Sequence, residues 1–352
     1  MANPVNDQRR RLLGGTAALG GLALLNLSGV DVFRPADASG APPSTSSTRK
    51  TPAVSFGSLR QVQAGELTVG YVELGPPRGP VVILLHGWPH DVHSFTEVAP
   101  LLAAQGYRVI VPFLRGYGTT RILSDNRPRN GQQSVFAVDI IALMDALRIE
   151  RAVLAGFDWG GRAANIVAAL WPERCRALVS VSGYLIGSQE AYRKPAAPQA
   201  EMQAWFQYYF ATDRGAEGYA EHRVDFNRLV WQNASPKFHF DDETYLRTAS
   251  AFDNPDHVAI VVDNYRWRLG LAHGEERFDG LEKRLARAPT ISVPTITLEG
   301  DANGAPHQPA ATYTKQFTGR YEHREISGGI GHNLPQEAPK AFADAVLQVV
   351  GF

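Results

Sequence analysis

Cysteine is nearly absent from this chain: Cys175 is the only one in 352 residues. One thiol can build neither a disulfide framework nor a cysteine-based metal site. No HExxH or comparable ligand spacing is present, so neither a metal nor another cofactor is expected. Net charge is missing too, with 35 Lys+Arg against 35 Asp+Glu and no basic stripe, which argues against a nucleic-acid partner. The apolar stretch at 14–27 is rich in Gly and Ala and short for a stable membrane span. No internal repeat points to a stacked-repeat architecture.

What is present is a chain with 44% hydrophobic residues, enough for a substantial core in one large domain or two smaller ones. The N-terminus reads as an export signal. Arg9 and Arg10, within a run of three arginines, are followed by Leu12-Leu13, the weakly apolar segment and a small-residue stretch at Ala36-Asp37-Ala38. Residues 1–38 are therefore expected to be a twin-arginine-like signal. The export machinery is then a partner, and the destination is periplasmic or secreted. Residues 39–54, rich in Ser, Thr, Pro and Gly, read as a linker.

From there the pattern is regular. An antiparallel strand pair is expected over 58–72, with its turn near Ala64-Gly65. Continuous apolar runs at 81–85, 109–113 and 152–155 suit parallel strands buried on both faces. Further strands are expected at 177–182, 296–298 and 321–326, and helices at 134–147, 162–170 and 339–350. This alternation predicts an α/β fold with a mostly parallel, doubly wound sheet. Residues 186–288 break the rhythm. They are helical in pattern and crowded with aromatics, and read as a cap inserted after the sixth core strand, between core segments 55–185 and 289–352.

One segment carries the chemistry. The strand at 152–155 runs into Gly156-Phe157-Asp158-Trp159-Gly160, and a small-residue helix follows at once. This is the strand–turn–helix pattern of a nucleophile elbow, with aspartate in the nucleophile's place. A carboxylate attacks a saturated carbon bearing a leaving group and forms an alkyl ester, which shifts the expected chemistry toward opening an epoxide or a carbon–halogen bond. His86-Gly87-Trp88-Pro89 follows the strand at 81–85, where the loop can supply an oxyanion-hole N–H. His332 sits in the glycine-rich loop Gly328-Gly329-Ile330-Gly331 after the last strand.

Taken together, HGWP (86–89), RGYG (115–118), GFDWGG (156–161) and the stretch at 329–339 resemble the α/β-hydrolase fold family, in its epoxide hydrolase and haloalkane dehalogenase group. The resemblance extends over nearly the whole chain after residue 55. It implies Asp158 as nucleophile, His332 as the base that activates water, and the N–H groups of Trp88 and Trp159 as the oxyanion hole. The third acid is expected after the strand at 296–298. The family's usual spacing falls on Asn303, and Asp301 is chosen because a carboxylate stabilises an imidazolium better than an amide. Asn264-Tyr265-Arg266 resembles a ring-opening tyrosine motif, so Tyr265 is the expected acid. The place of a first tyrosine falls on Phe206, with Tyr208 or Tyr209 as substitutes. His86, Pro89, Phe206, Tyr208, Tyr209 and Trp267 are the expected contacts of a small, apolar substrate.

Two alternatives stay open. A dehalogenase would hold halide with indole N–H groups, Trp159 with Trp205 or Trp267, and a non-catalytic binder would need no such constellation. Fluoroacetate-type enzymes place Arg after the nucleophile to hold a carboxylate. Here Trp159 stands there and only Arg162 of that pair remains, which disfavours a haloacid.

Overall fold

The computed structural model describes residues 56–352. The signal and linker expectations at 1–38 and 39–54 lie outside them. Nine strands form one sheet: β1 Ser58–Ala64, β2 Leu67–Leu74, β3 Val81–Leu85, β4 Arg108–Pro112, β5 Arg121–Ile122, β6 Ala152–Gly156, β7 Cys175–Val181, β8 Thr295–Gly300 and β9 Tyr321–Ile326. Their order is β1-β2-β4-β3-β6-β7-β8-β9, with the two-residue β5 beside β2. The contacts of β2 with β1, β4 and β5 are antiparallel, and every pairing from β4 to β9 is parallel. This is the α/β-hydrolase fold.

The burial of each strand follows from its sequence. β3 and β6 are apolar throughout and β4 is apolar after Arg108, and their apolar residues are buried, as suits parallel strands covered on both faces. β1 lies at the edge, and its polar residues Arg60, Gln61 and Gln63 are exposed, which guards an open edge against further pairing. Arg115, after β4, is buried and grips Asp139 with two hydrogen bonds of 2.6 and 2.7 Å. That arrangement makes the RGYG turn a structural feature.

The chain leaves the sheet at the end of β7, the sixth strand on the main path. It returns at β8 after a run of helices that includes Trp205–Phe210, Asp213–Ala234 and His257–Leu269. These helices meet the carboxyl ends of the parallel strands, where an open α/β sheet places its ligands. Direct bonds join the layers there. The Trp231 indole donates to the Pro89 carbonyl at 2.6 Å, and the Trp88 indole donates to the Tyr219 hydroxyl at 3.1 Å.

Candidate active site

The position of Asp158 is set by glycines. A Cβ on Gly160 would lie 2.2 Å from the Leu85 carbonyl oxygen, and one on Gly87 would lie 2.4 Å from Asp158 Cβ. Backbone can therefore pass close on both sides of the turn. Asp158 itself takes φ = 50°, a left-handed conformation that costs energy for a residue with a side chain. That strain projects its carboxylate from the first position of the helix Asp158–Leu170.

The two carboxylate oxygens have different surroundings. Oδ1 accepts the Trp88 N–H at 2.8 Å, and Oδ2 lies 3.8 Å from His332 Nε2. Trp159 N–H belongs to the first helical turn, whose N–H groups find no partner inside the helix. Burial pushes the Asp158 pKa up. His332, the Arg162 charge and the Trp88 N–H outweigh burial and hold the carboxyl well below its ordinary range. The group is thus ionised at any physiological pH.

His332 is placed by backbone bonds: its N–H donates to Ser235 Oγ at 2.9 Å, and Ser235 Oγ donates to Glu337 Oε1 at 2.6 Å. Its Nδ1 is buried and has no hydrogen-bond partner among the described residues. Asp301 therefore does not fill the role expected of it. It is exposed, and its carboxylate accepts the N–H groups of Gly328, Gly329 and Ile330 at 3.1, 2.8 and 2.9 Å. It shapes the turn that carries His332 and does not hydrogen-bond to the imidazole. Asn303, at the family's usual spacing, donates to Glu299 Oε1 at 2.7 Å and to Ser182 Oγ at 3.2 Å. The second Glu299 oxygen is buried and unpaired among the described residues.

A cavity of about 110 Å³ opens between these groups and the cap. Asp158, His332, Trp88, Pro89, Phe206 and Tyr265 all line it, together with Arg162, Arg268 and Ser182, which the sequence reading had not placed there. Tyr265 is held by rings on several sides, with centroids 5.2 Å from Trp88, 5.2 Å from Phe206 and 5.5 Å from Phe210. Burial raises its phenol pKa far above the ordinary value, and the Asp158 charge adds to this, so it stays protonated. The Trp159 ring lies 6.0 Å from the Tyr265 ring, and its indole N–H is buried with no hydrogen-bond partner among the described residues.

Four expected substrate contacts are placed elsewhere. Tyr208 is 47% exposed on the outside of its short helix. Tyr209 stacks on Phe226 at 5.5 Å. Trp267 is buried on the far side of its helix, where its carbonyl accepts from Gln189. His86 is fully buried and staples two loops, donating from Nδ1 to the Gly87 carbonyl and accepting the Leu114 N–H at Nε2, at 3.0 and 3.1 Å. In each case the residue type suited a cavity wall, and packing used it for the core or the surface.

Comparison with known proteins agrees with this architecture. A profile of the alpha/beta hydrolase fold family matches residues 80–273. A crystal structure of a candidate epoxide hydrolase from Klebsiella pneumoniae is 58% identical, with a TM-score of 0.84 over 86% of this chain and all of that one. Epoxide hydrolase B of Mycobacterium tuberculosis is 34% identical over 154 residues, which is 40% of this chain and 43% of the relative. Bifunctional epoxide hydrolase 2 of Sus scrofa is 31% identical over 180 residues, 51% of this chain and 30% of the relative. The matched stretch thus spans less than half the length of these two curated relatives. The chain belongs to the α/β-hydrolase fold family.

Proposed function

We propose that this protein is a hydrolase that opens an epoxide to a diol through a covalent ester on Asp158. One observation carries the reading: a carboxylate with one oxygen on the Trp88 N–H and the other beside His332, facing a buried, protonated phenol across one small cavity. The names of the relatives support the same assignment.

In the proposed first step, Asp158 Oδ2 forms a bond to an epoxide carbon as that carbon's bond to the ring oxygen breaks. The Tyr265 hydroxyl gives its proton to the departing oxygen, which would otherwise leave as an alkoxide. The product is a hydroxyalkyl ester. In the second step His332 takes a proton from water, and the resulting hydroxide adds to the ester carbonyl of Asp158. The oxyanion rests on the N–H groups of Trp88 and Trp159. Collapse breaks the bond between carbonyl carbon and alkoxy oxygen, releases the diol, and returns protons to it and to Tyr265. The wall formed by Trp88, Phe206 and Leu185 suits an apolar body on the epoxide.

His332→Gln tests the order of events, because the first step does not use the base. After exposure to styrene oxide, mass spectrometry of the intact variant and its peptides is expected to show one adduct, on Asp158. An adduct on another residue, or none while the wild type makes diol, overturns the mechanism. The unpartnered indole N–H of Trp159 favours a second reading, carbon–halogen cleavage with the halide held by that donor. Bromide release from 1-bromobutane without diol from any epoxide would select it.

We also propose export by the twin-arginine route, on the strength of Arg9-Arg10 and the small-residue stretch after the apolar segment. Replacing both arginines with lysine is expected to retain precursor in the cytoplasm, and unchanged export would exclude the route.

A further inference from the structure

Two arginines line the cavity, and neither has a carboxylate within ion-pair distance among the described residues. Arg162 is 9% exposed and Arg268 is 7% exposed. Arg162 lies four residues after Asp158 on the elbow helix, and Arg268 three after Tyr265 on His257–Leu269, so each shares a helix face with a reactive group. The pairing of roles is the same on both sides of the cavity.

A buried guanidinium without an anion is costly, and proteins retain one where something compensates it. The compensation within the chain is incomplete. Arg162 spends its Nε on the Leu185 carbonyl at 2.9 Å, which leaves its two terminal nitrogens unused. Arg268 lies over the rings of Tyr265 and Tyr192, at 4.9 and 5.5 Å from their centroids, and its Nη2 is buried with no hydrogen-bond partner. Both guanidinium groups line the same cavity, and burial and then the charge of Arg162 push the Arg268 pKa below its ordinary value. Against these two cations the cavity lining offers one carboxylate, Asp158, so one positive charge is left over.

We infer that Arg268, together with Arg162, forms a subsite for a carboxylate carried by the substrate, so that the preferred epoxide is a monoanionic epoxy acid. A monoanion matches the single uncompensated charge, whereas a dianion would face Asp158 with an excess of negative charge. The planar guanidinium fork of Arg268 fits a carboxylate in a way a lysine would not. The sequence alone disfavoured an acid, because Trp159 occupies the place where related dehalogenases put an arginine. The fold supplies the second cation from the cap instead. The inference rests on the epoxide-opening reading for its reaction, but the binding it predicts does not require turnover.

The test uses oxirane-2-carboxylate and its neutral amide as substrates, and cyclopropanecarboxylate and its amide as inert analogues. In the wild type, kcat/KM for the acid is expected to exceed that for the amide by roughly 10²-fold, the scale of a charge-assisted pair. In Arg268→Met the acid-to-amide ratio should fall at least tenfold, and Arg268→Lys should restore part of it. Calorimetry should detect cyclopropanecarboxylate, and not the amide, binding the wild type, with the binding lost in Arg268→Met. Equal turnover of acid and amide by the wild type, or an unchanged ratio in Arg268→Met, overturns the subsite. If neither these oxiranes nor styrene oxide gives diol but cyclopropanecarboxylate still binds through Arg268, the subsite stands and the epoxide reading fails.

Discussion

The core side and the cap side of the cavity hold their reactive groups by different means. On the core side, Asp158 and His332 are fixed by backbone: a turn that tolerates no added Cβ at Gly160, an N–H bond from Trp88, and a loop braced by Asp301 and Ser235. On the cap side, Tyr265 is fixed by rings packed around it, and its hydroxyl carries no protein hydrogen bond among the described residues. Backbone geometry fails abruptly when a single atom is added. Aromatic packing absorbs the loss of one polar atom with little structural change, since neighbouring rings keep their contacts. The core side should therefore respond to mutation through folding, and the cap side through rate.

Gly160→Ala is the sharpest way to test that contrast. The added methyl would meet two backbone carbonyl oxygens, those of Leu85 and His86, at 2.2 and 2.4 Å. Neither can move without dragging β3, so destabilisation of roughly 4 kcal/mol or more is expected, in the range of severe overpacking. Urea denaturation, or failure to recover folded protein, measures it. A soluble variant with near-normal stability would show that the turn is far more plastic than its contacts imply.

Acid comes next, and it acts on both sides at once. Burial pushes His86 in the core down to about 4, and His257, which joins the cap to the Gly116 carbonyl, down to about 3. Each is neutral when folded, while the unfolded chain binds a proton near the ordinary value of 6.5. Their stabilisation is thus complete above pH 6.5 and is lost as pH falls, through 4 for His86 and 3 for His257. At the acid limit this amounts to on the order of 3 kcal/mol for His86 and on the order of 5 kcal/mol for His257. The midpoint of thermal unfolding is expected to hold steady from pH 8 to 7 and to fall progressively below 6.5. A midpoint that rises on acidification would contradict the buried, neutral assignment.

The smallest effect belongs to the cap. Tyr265→Phe removes one oxygen and keeps the ring, so stability should stay within about 0.5 kcal/mol of the wild type while the alkylation rate drops roughly 10²-fold. Single-turnover kinetics on an active epoxide separates the two. A large loss of stability would place Tyr265 with the backbone-held groups, and an unchanged rate would remove it from the chemistry.

The same contrast explains how much could be read from the chain. The strands at 81–85 and 321–326 have the same bounds in sequence and structure, and the first was legible because a buried parallel strand is written as a continuous apolar run. The elbow was legible because its backbone needs glycines at fixed positions. Cap side chains were not, because aromatics serve a core and a cavity wall equally well. Phe206 faces the cavity and Tyr208, two residues on, faces outward. Only the way that helix settles on its neighbours decides which. Asp301 stands near the spacing of a partner for His332, but the three N–H groups of the 328–330 turn are a stronger local claim on its carboxylate, and spacing alone does not show them. Arg268 was missed for the opposite reason: its spacing from Tyr265 was visible, but an arginine on a helix is expected to point to water.

The bonds at the end of the long cap helix Asp213–Ala234 bear on engineering. The Ala234 carbonyl accepts the N–H of Gly304 at 2.9 Å and of His332 at 3.2 Å, and Ser235 Oγ meets the His332 N–H as well. The cap is thus spliced into the loop that carries His332, and is not an accessory laid over a finished core. Chimeras that graft a foreign cap onto this core at its two covalent junctions will inherit a misplaced histidine unless they also reproduce Ala234 and Ser235. Recombination breakpoints belong on the far side of that pair, with the two residues travelling alongside the histidine loop as one block.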